Sequence, residues 1–345
     1  FFFYMGSLFA IGVVAVALIG GAFYSGYIGN SNHSKSPTDI DTNPMTDDLD
    51  SQFTDSWGVA LMQGKRPYME DTYSTYFSSS GISYFGVYDG HGNDHVSKYL
   101  ASNLLGNVHD SFMNQNGSLT ERIEKSLKES FMKTNEQYKT FAKKNRSNWG
   151  SGGSTGVVAA IYKDENNQYR ITVANTGDSR SIFCRDSNSQ VYPMSEDHKP
   201  DSPKEKERIE KSGGFVTIPP RGPARLNGIL ATSRAFGDFD LEPQITAYPD
   251  IVDIIIGKMN ESGSFELDSN WDPNSAMLIL ASDGLFDVYG SQEASAFAIR
   301  KRKSNMSPSK VSEWFTQSAY DRGSSDNITT LVVFVDKLIE LIEGK

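Results

Sequence analysis

The chain changes character at Lys35. No charged side chain precedes it, and from Leu8 to Ile28 (LFAIGVVAVALIGGAFYSGYI) 21 positions are apolar apart from Ser25 and two tyrosines. At about 1.5 Å per residue, such a run reaches across the roughly 30 Å of a bilayer core. Tyr4, Tyr24 and Tyr27 stand where interfacial aromatics are expected. A cleaved leader would carry a basic n-region, and no basic residue precedes this run. A buried core helix is the other reading. The expectation is a membrane anchor over residues 1–29. Residues 30–55 are rich in Ser, Thr, Asn, Asp and Pro, with no basic residue between Lys35 and Lys65. They read as an acidic flexible linker. From Ser56 to about Asp336, strand-like and helix-like segments alternate without another linker. One domain over residues 56–337 follows, with a C-terminal tail over 338–345.

Within that domain, β-branched, aromatic and apolar runs predict strands at Ser83–Asp89, Thr155–Tyr162, Tyr169–Asn175, Arg180–Arg185, Ile251–Ile256, Ala276–Ser282 and Ile328–Asp336. Helices carry their own start signals. Ser118 and Glu121 form a capping box ahead of Leu119, Ile123, Leu127 and Phe131, spaced four apart. Ser202-Pro203 and Ser307-Pro308 open two more, and another is expected after Asp89-Gly90-His91-Gly92. Grouped strands with long helices between them predict a layered α+β sandwich.

Composition narrows the chemistry. A formal net charge of −10, from 33 Lys and Arg against 43 Asp and Glu, argues against nucleic acid as partner. Cys184 is the single cysteine, which excludes an internal disulfide framework and a cysteine-based zinc site. It lies within a predicted strand and reads as core. Three apolar runs end alike: SYFGVY at Asp89-Gly90, ITVANTG at Asp178, and MLILAS at Asp283-Gly284. Glu70-Asp71 and Asp326-Asn327 are two further acidic sites beside turns. Carboxylates converging without partners repel one another and raise their own pKa values. A hard divalent cation resolves this, and all-oxygen ligation favours Mg²⁺ or Mn²⁺.

The ordered segments GKRPYMEDTY (64–73), FGVYDGHGNDHVSKYL (85–100), GSTG (153–156), ANTGDSR (174–180), SEDHKP (195–200), GGFV (213–216), RLNGILATSRAFGDFD (225–240), LILASDGLFDV (278–288) and GSSDNITTLVVF (323–334) closely resemble the metal-dependent (type 2C) family of protein Ser/Thr phosphatases. The resemblance covers roughly residues 56–337. It implies an α+β fold, a four-layer α/β/β/α sandwich of two mainly antiparallel sheets flanked by helices. It also implies an enzyme that hydrolyses phosphoserine and phosphothreonine with a metal-activated water, and with the apolar run Leu8–Ile28 the expectation is a membrane-anchored one.

By the same resemblance, Asp89 bridges two Mg²⁺ or Mn²⁺ ions and Gly90 offers its carbonyl. Asp283 and Asp326 ligate one metal, Glu70 and Asp71 hold the second mainly through water, and Asp178 lies near a possible third. Arg66 binds the substrate phosphate, and His91 is the acid for the leaving oxygen. Partners are phosphorylated proteins and, through residues 1–29, a membrane. The catalytic domain is expected to be monomeric and to face the cytosol or the mitochondrial matrix. Phe286 and Gly156 depart from the family pattern where Trp and Ala are common, as packing changes. Pro67-Tyr68 alters a loop beside the phosphate site. His198 reads as loop-fixing, His95 and His109 as surface or helix-end residues, and Arg300–Lys303 as a solvated basic face.

Two rival functions compete. Gly152–Gly156 matches the G-x-S-x-G of a serine hydrolase, but a strand follows where a nucleophile elbow needs a helix. A pseudophosphatase scaffold would have lost metal-ligand positions, and none is lost here.

Overall fold

The computed structural model describes residues 55–145, 151–184, 191–259 and 276–343, with the short strands Ile40–Asp41 and Phe265–Leu267. The anchor expected over residues 1–29 lies outside the described residues. So does the linker, apart from Asp55 and the strand Ile40–Asp41. No helix among the described residues is long and apolar enough to cross a membrane.

Nine main strands are β1 (Trp57–Met62), β2 (Thr72–Phe77), β3 (Ser83–Tyr88), β4 (Gly156–Lys163), β5 (Gln168–Thr176), β6 (Arg180–Cys184), β7 (Asp250–Met259), β8 (Met277–Ala281) and β9 (Ile328–Phe334). The helices are α1 (His95–Met113), α2 (Leu119–Asn145), α3 (Pro203–Lys211), α4 (Ser291–Lys303), α5 (Pro308–Asp321) and α6 (Val335–Ile342), with a single turn at Asp283–Phe286. One six-stranded sheet runs Ile40–Asp41, β1, β9, β8, β6, Val191–Pro193, and the other runs Phe265–Leu267, β7, β5, β4, β3, β2. Every pairing within them is antiparallel.

The two-residue side-chain period sorts the core into layers. In β9, Leu331 and Val333 meet Phe85 and Val87 of β3 between the sheets. Ile328, Val332 and Phe334 face the other way, toward Phe297 of α4 and Phe315 of α5. On the far side, Tyr84, Tyr88, Val158 and Tyr162 pack against Leu104 of α1 and Leu127 of α2. Strands apolar on both faces require a cover on each side, and the helices supply it. The order α/β/β/α is therefore the expected one.

All seven predicted strands form. β1 and β2 are additions that pattern reading misses. TYSTYF carries polar residues throughout and lies at a sheet edge with one side chain buried, so it lacks the apolar run that marks its neighbours. The capping box at α2 closes in both directions, with Ser118 N–H donating to Glu121 Oε2 (3.0 Å) and Glu121 N–H to Ser118 Oγ (3.3 Å). Residues 338–345, expected as a tail, are instead mostly the body of α6. Leu338 and Ile339 are buried against the sheets, so apolar packing extends the domain past residue 337. His109, expected as a surface or helix-end residue, lies near the end of α1 and packs against Tyr76, Tyr84 and Phe112. The basic run Arg300–Lys303 is partly spent on packing. Arg302 binds both oxygens of Asp336, and Lys301 sits 4.0 Å from the Trp314 ring centroid.

An internal charge knot fixes α3 to the segment before β7. Glu205 and Arg234 are both nearly inaccessible. Arg234 donates to Glu205 Oε1 from Nη2 (2.6 Å) and Nε (3.1 Å), while Arg208 and Ser233 donate to Oε2 (3.0 and 2.9 Å). Burial alone would raise this carboxyl, but the two guanidinium groups hold it down to about 2. Its stabilisation is therefore present above its ordinary value of 4.5 and lost as pH falls toward about 2. Glu205→Gln should lower unfolding free energy by roughly 3 kcal/mol near neutral pH, since it leaves the buried Arg234 with Asp250 as its remaining anionic partner. In denaturant titrations the deficit should shrink below about pH 4, and a pH-independent difference would contradict the account.

Candidate active site

Antiparallel register brings the acidic positions to one edge of the sandwich. Thr72, which opens β2, pairs with Tyr88, which closes β3, so Glu70-Asp71 lies beside Asp89-Gly90. Gly156 pairs with Thr176, carrying the start of β4 to the end of β5 and hence to Asp178. Ala281 pairs with Thr330, which sets Asp283 near Asp326. Close backbone approach does the rest. A Cβ on Gly90 would lie 2.4 Å from the Glu70 carbonyl oxygen, and one on Gly284 would lie 1.9 Å from that of Asn327. No larger residue fits at either place.

The electrostatics record the crowding. Asp89 is pushed well above the ordinary carboxylate range by burial and then by Asp71, Asp283, Asp178 and Asp326. Asp283 is raised likewise by burial, Asp178, Asp287 and Asp326, with Lys199 opposing. Burial raises Asp71 to about 7 although Thr329 donates to its Oδ2 (2.7 Å). Its Oδ1 is buried and has no hydrogen-bond partner, with Ser282 and Asp89 beside it. Glu70 is raised by burial, against the pull of Arg66 and His91.

The seven acidic and glycine positions singled out from sequence therefore meet at one place. Among the described residues, no three His, Cys, Asp or Glu side chains form a ready-made metal cage. Two cationic side chains hold part of the set instead: Arg66 Nη2 lies 2.5 Å from Asp326 Oδ2, and Lys199 Nζ lies 2.6 Å from Asp178 Oδ2. An orphaned buried carboxylate oxygen and four carboxyls forced upward fit an all-oxygen site for a hard cation.

Sequence reasoning passed over three residues. Asn327 ties the site together: its Oδ1 accepts from Glu70 N–H (2.8 Å), and its Nδ2 donates to the carbonyls of Gln63 (2.7 Å) and Tyr68 (3.0 Å). Buried this way, it is closed to glycosylation despite its sequon. Lys199 neutralises Asp178, and its place directly after His198 in DHKP was the available clue. Asp238 pairs with His91 at 2.6 Å from Oδ2 to Nε2. Burial lowers that imidazole, but Asp238, with Asp178 and Glu70 adding to it, raises it on balance.

Other expectations resolve in the same geometry. His198 is loop-fixing: its Nδ1 accepts from Gly177 N–H (3.0 Å), and its carbonyl accepts from Ser233 N–H (2.8 Å). Ser154 is fully buried and its hydroxyl donates to the Thr155 carbonyl (2.8 Å), which leaves no hydrolase nucleophile. Gly156 makes room for Phe236, whose Cε2 would lie 2.8 Å from an added Cβ. Phe286 is buried under Arg180, with the guanidinium carbon 4.6 Å from the ring centroid. Cys184 is buried in β6, its thiol pushed up to about 12 by burial.

Residues 56–328 match the protein phosphatase 2C family profile. Similar chains include "Probable protein phosphatase 2C 45" of Oryza sativa subsp. japonica, 36% identical over 283 residues, covering 81% of this chain and 86% of the relative. "Probable protein phosphatase 2C 11" of Arabidopsis thaliana is 35% identical over 283 residues, covering 81% of this chain and 66% of the relative. The fold is similar to that of a serine-threonine phosphatase 2C from Toxoplasma gondii, with a TM-score of 0.64 and 20% identity. That match covers 86% of this chain and 99% of the other.

The raised carboxyls make the metal-free fold sensitive to pH. Asp71 contributes stability that is fully present below its ordinary value of 3.8 and lost as pH rises through about 7. Asp89 and Asp283 shift in the same direction. The thermal midpoint of chelator-treated protein should fall across that window, and Asp71→Asn should flatten the fall. A midpoint that rises between those limits would contradict the assignment.

Proposed function

The chain belongs to the protein phosphatase 2C family, and we propose that it dephosphorylates serine and threonine side chains of proteins at a binuclear Mg²⁺ or Mn²⁺ site built from the clustered carboxylates. Metal-dependent protein Ser/Thr phosphatase activity is the family's reaction. The single observation that carries the site assignment is the crowding of Asp71, Asp89 and Asp283, which burial and mutual repulsion push upward together.

In this reading Asp89, the Gly90 carbonyl, Asp283 and Asp326 would hold the ions directly. Glu70 and Asp71 would act mainly through water, and Asp178 would serve a possible third ion. When bound, the ions supply a hydroxide-like water near neutral pH and neutralise the phosphoryl oxygens. The chain's own side chains bind the ester and handle the leaving group. Arg66 is about half exposed, and its guanidinium can fork two phosphate oxygens. Tyr68, 74% exposed, stands in the altered loop beside it, where a substrate chain would pass. His91 supplies the proton that an alkoxide needs in order to leave.

The apolar run Leu8–Ile28 supports a single-pass anchor over residues 1–29 and a tether over 30–55. The catalytic domain acts as a monomer facing the cytosol or the mitochondrial matrix, where ATP-dependent kinases make its substrates. Protease protection of the tagged full-length protein in intact membranes tests this. A soluble distribution, or a catalytic domain on the lumenal side, would refute it.

Hydrolysis of a phosphothreonine peptide by the full chain should require Mn²⁺ or Mg²⁺ and stop on chelation. Asp89→Asn should lower kcat by roughly 100-fold or more, with metal affinity weakened in calorimetry. Activity indifferent to chelator, or a wild-type rate for Asp89→Asn, would sink the metal-site reading.

A further inference from the structure

Beside the carboxylate cluster lies a second, smaller construction that ends at His91. Three two-residue strands pair side by side, Gly90–His91 with Gly153–Ser154 and Gly153–Ser154 with Phe236–Gly237. Register sets His91 opposite Gly153, and Gly153 opposite Gly237. The central position of that row carries no side chain, and the carboxylate of the next residue, Asp238, fills the gap. A Cβ on Gly153 would lie 2.1 Å from Asp238 Oδ2 and 2.7 Å from its Cγ. Through that opening Asp238 Oδ2 reaches His91 Nε2 at 2.6 Å.

The surroundings over-determine Asp238. Its backbone is left-handed, φ 47° and ψ 38°, a conformation that costs most side chains energy and that Asp tolerates. Asp238 N–H donates to the Gly152 carbonyl (3.0 Å), and the Asp238 carbonyl accepts from Leu241 N–H (2.8 Å). One layer out, the buried Asn135 of α2 accepts from Gly237 N–H through its Oδ1 (2.9 Å). An unfavourable backbone held by three separate elements, with the neighbouring side chain deleted, points to a geometry retained for what it does.

We infer that Asp238 is a positioning residue that commits His91 Nε2 to itself and so presents Nδ1 to the leaving oxygen of the phosphoester. The inference rests on the reading of His91 as the acid. In the step itself, the attacking water oxygen bonds to phosphorus while the bond from phosphorus to the Ser or Thr oxygen breaks. The electron pair of that bond stays on the alcohol oxygen, which takes the Nδ1 proton of the imidazolium. The proton lost by the water passes to solvent, and His91, with 28% of its side chain accessible, is reprotonated from solvent. Asp238 keeps its hydrogen bond to Nε2–H throughout and carries no proton. This is the orienting role of a carboxylate behind a catalytic imidazole, turned here to leaving-group protonation.

The consequence is selectivity by leaving group. A phosphothreonine peptide expels an alkoxide that needs the proton, whereas 4-nitrophenyl phosphate expels a phenolate that does not. Asp238→Asn keeps the size and the left-handed tolerance of the residue. It should lower the ratio of kcat on the peptide to kcat on 4-nitrophenyl phosphate by roughly tenfold or more. Asp238→Gly, equally at ease in that backbone, should do the same. Within a His91→Gln background Asp238→Asn should cost nothing further, and Mn²⁺ affinity by calorimetry should match that of the wild type. An equal loss on both substrates, an additive effect in the double variant, or weakened Mn²⁺ binding would overturn the inference. If His91→Gln itself fails to change the ratio, the reading of His91 as the acid falls, and this inference with it. If His91→Gln changes the ratio and Asp238→Asn does not, only the inference falls.

Discussion

Mutual repulsion among buried carboxylates is the constraint on which the rest of this structure depends. Two sheets of opposite amino-acid economy, apolar within and acidic at one edge, meet so that Asp71, Asp89 and Asp283 are held upward by burial and by one another. Packing enforces the arrangement. β3 and β8, which lead into Asp89 and Asp283, are buried on both faces, and sliding either by one residue would turn its core side chains out of their layers. The hydrophobic effect therefore supplies the free energy that keeps like charges together. Arg66 and Lys199 relieve part of the repulsion at Asp326 and Asp178, and protonation relieves part of the remainder.

Much of the fold was legible because it follows from periodicity and punctuation. β8 read as a strand from an uninterrupted apolar run and β9 from a β-branched and apolar one, since both of their faces are covered. α2 read as a helix from its capping box and four-residue spacing, and both features are present. β2 was not legible, because its polar residues suit an edge that faces solvent on one side. The C-terminal helix was hidden for a different reason. VDKLIELI follows β9 without a turn signal, so a strand and a helix fuse into one apolar stretch.

Legibility of the site divides along the same line. Asp89, Asp178, Asp283 and Asp326 each lie within two residues of a strand end and are followed by glycine, serine or asparagine, so local pattern exposes them. Asp238, Lys199 and Asn327 act through partners 147, 21 and 257 residues away in sequence. No local rule couples such positions. Only the fold reveals that Asn327 bonds the backbone at three places, or that Gly153 is small because a carboxylate passes over it.

The net charge of −10 describes the envelope and misleads about the site. A phosphate dianion approaching an acidic protein meets a repulsive field at long range, but that field is screened beyond about 8 Å at physiological salt. Inside that distance local charge decides. Arg66 stands at the opening with its guanidinium on Asp326, so the same carboxylate that fixes the arginine also neutralises it. Any cation that engages Asp326 must compete with Arg66, and whatever charge it takes up restores the arginine's attraction for phosphate. On the proposed reading, metal charge and phosphate recognition would thereby be coupled through one carboxylate. The acidity that argues against nucleic acid as partner would then be part of how a phosphate dianion is bound.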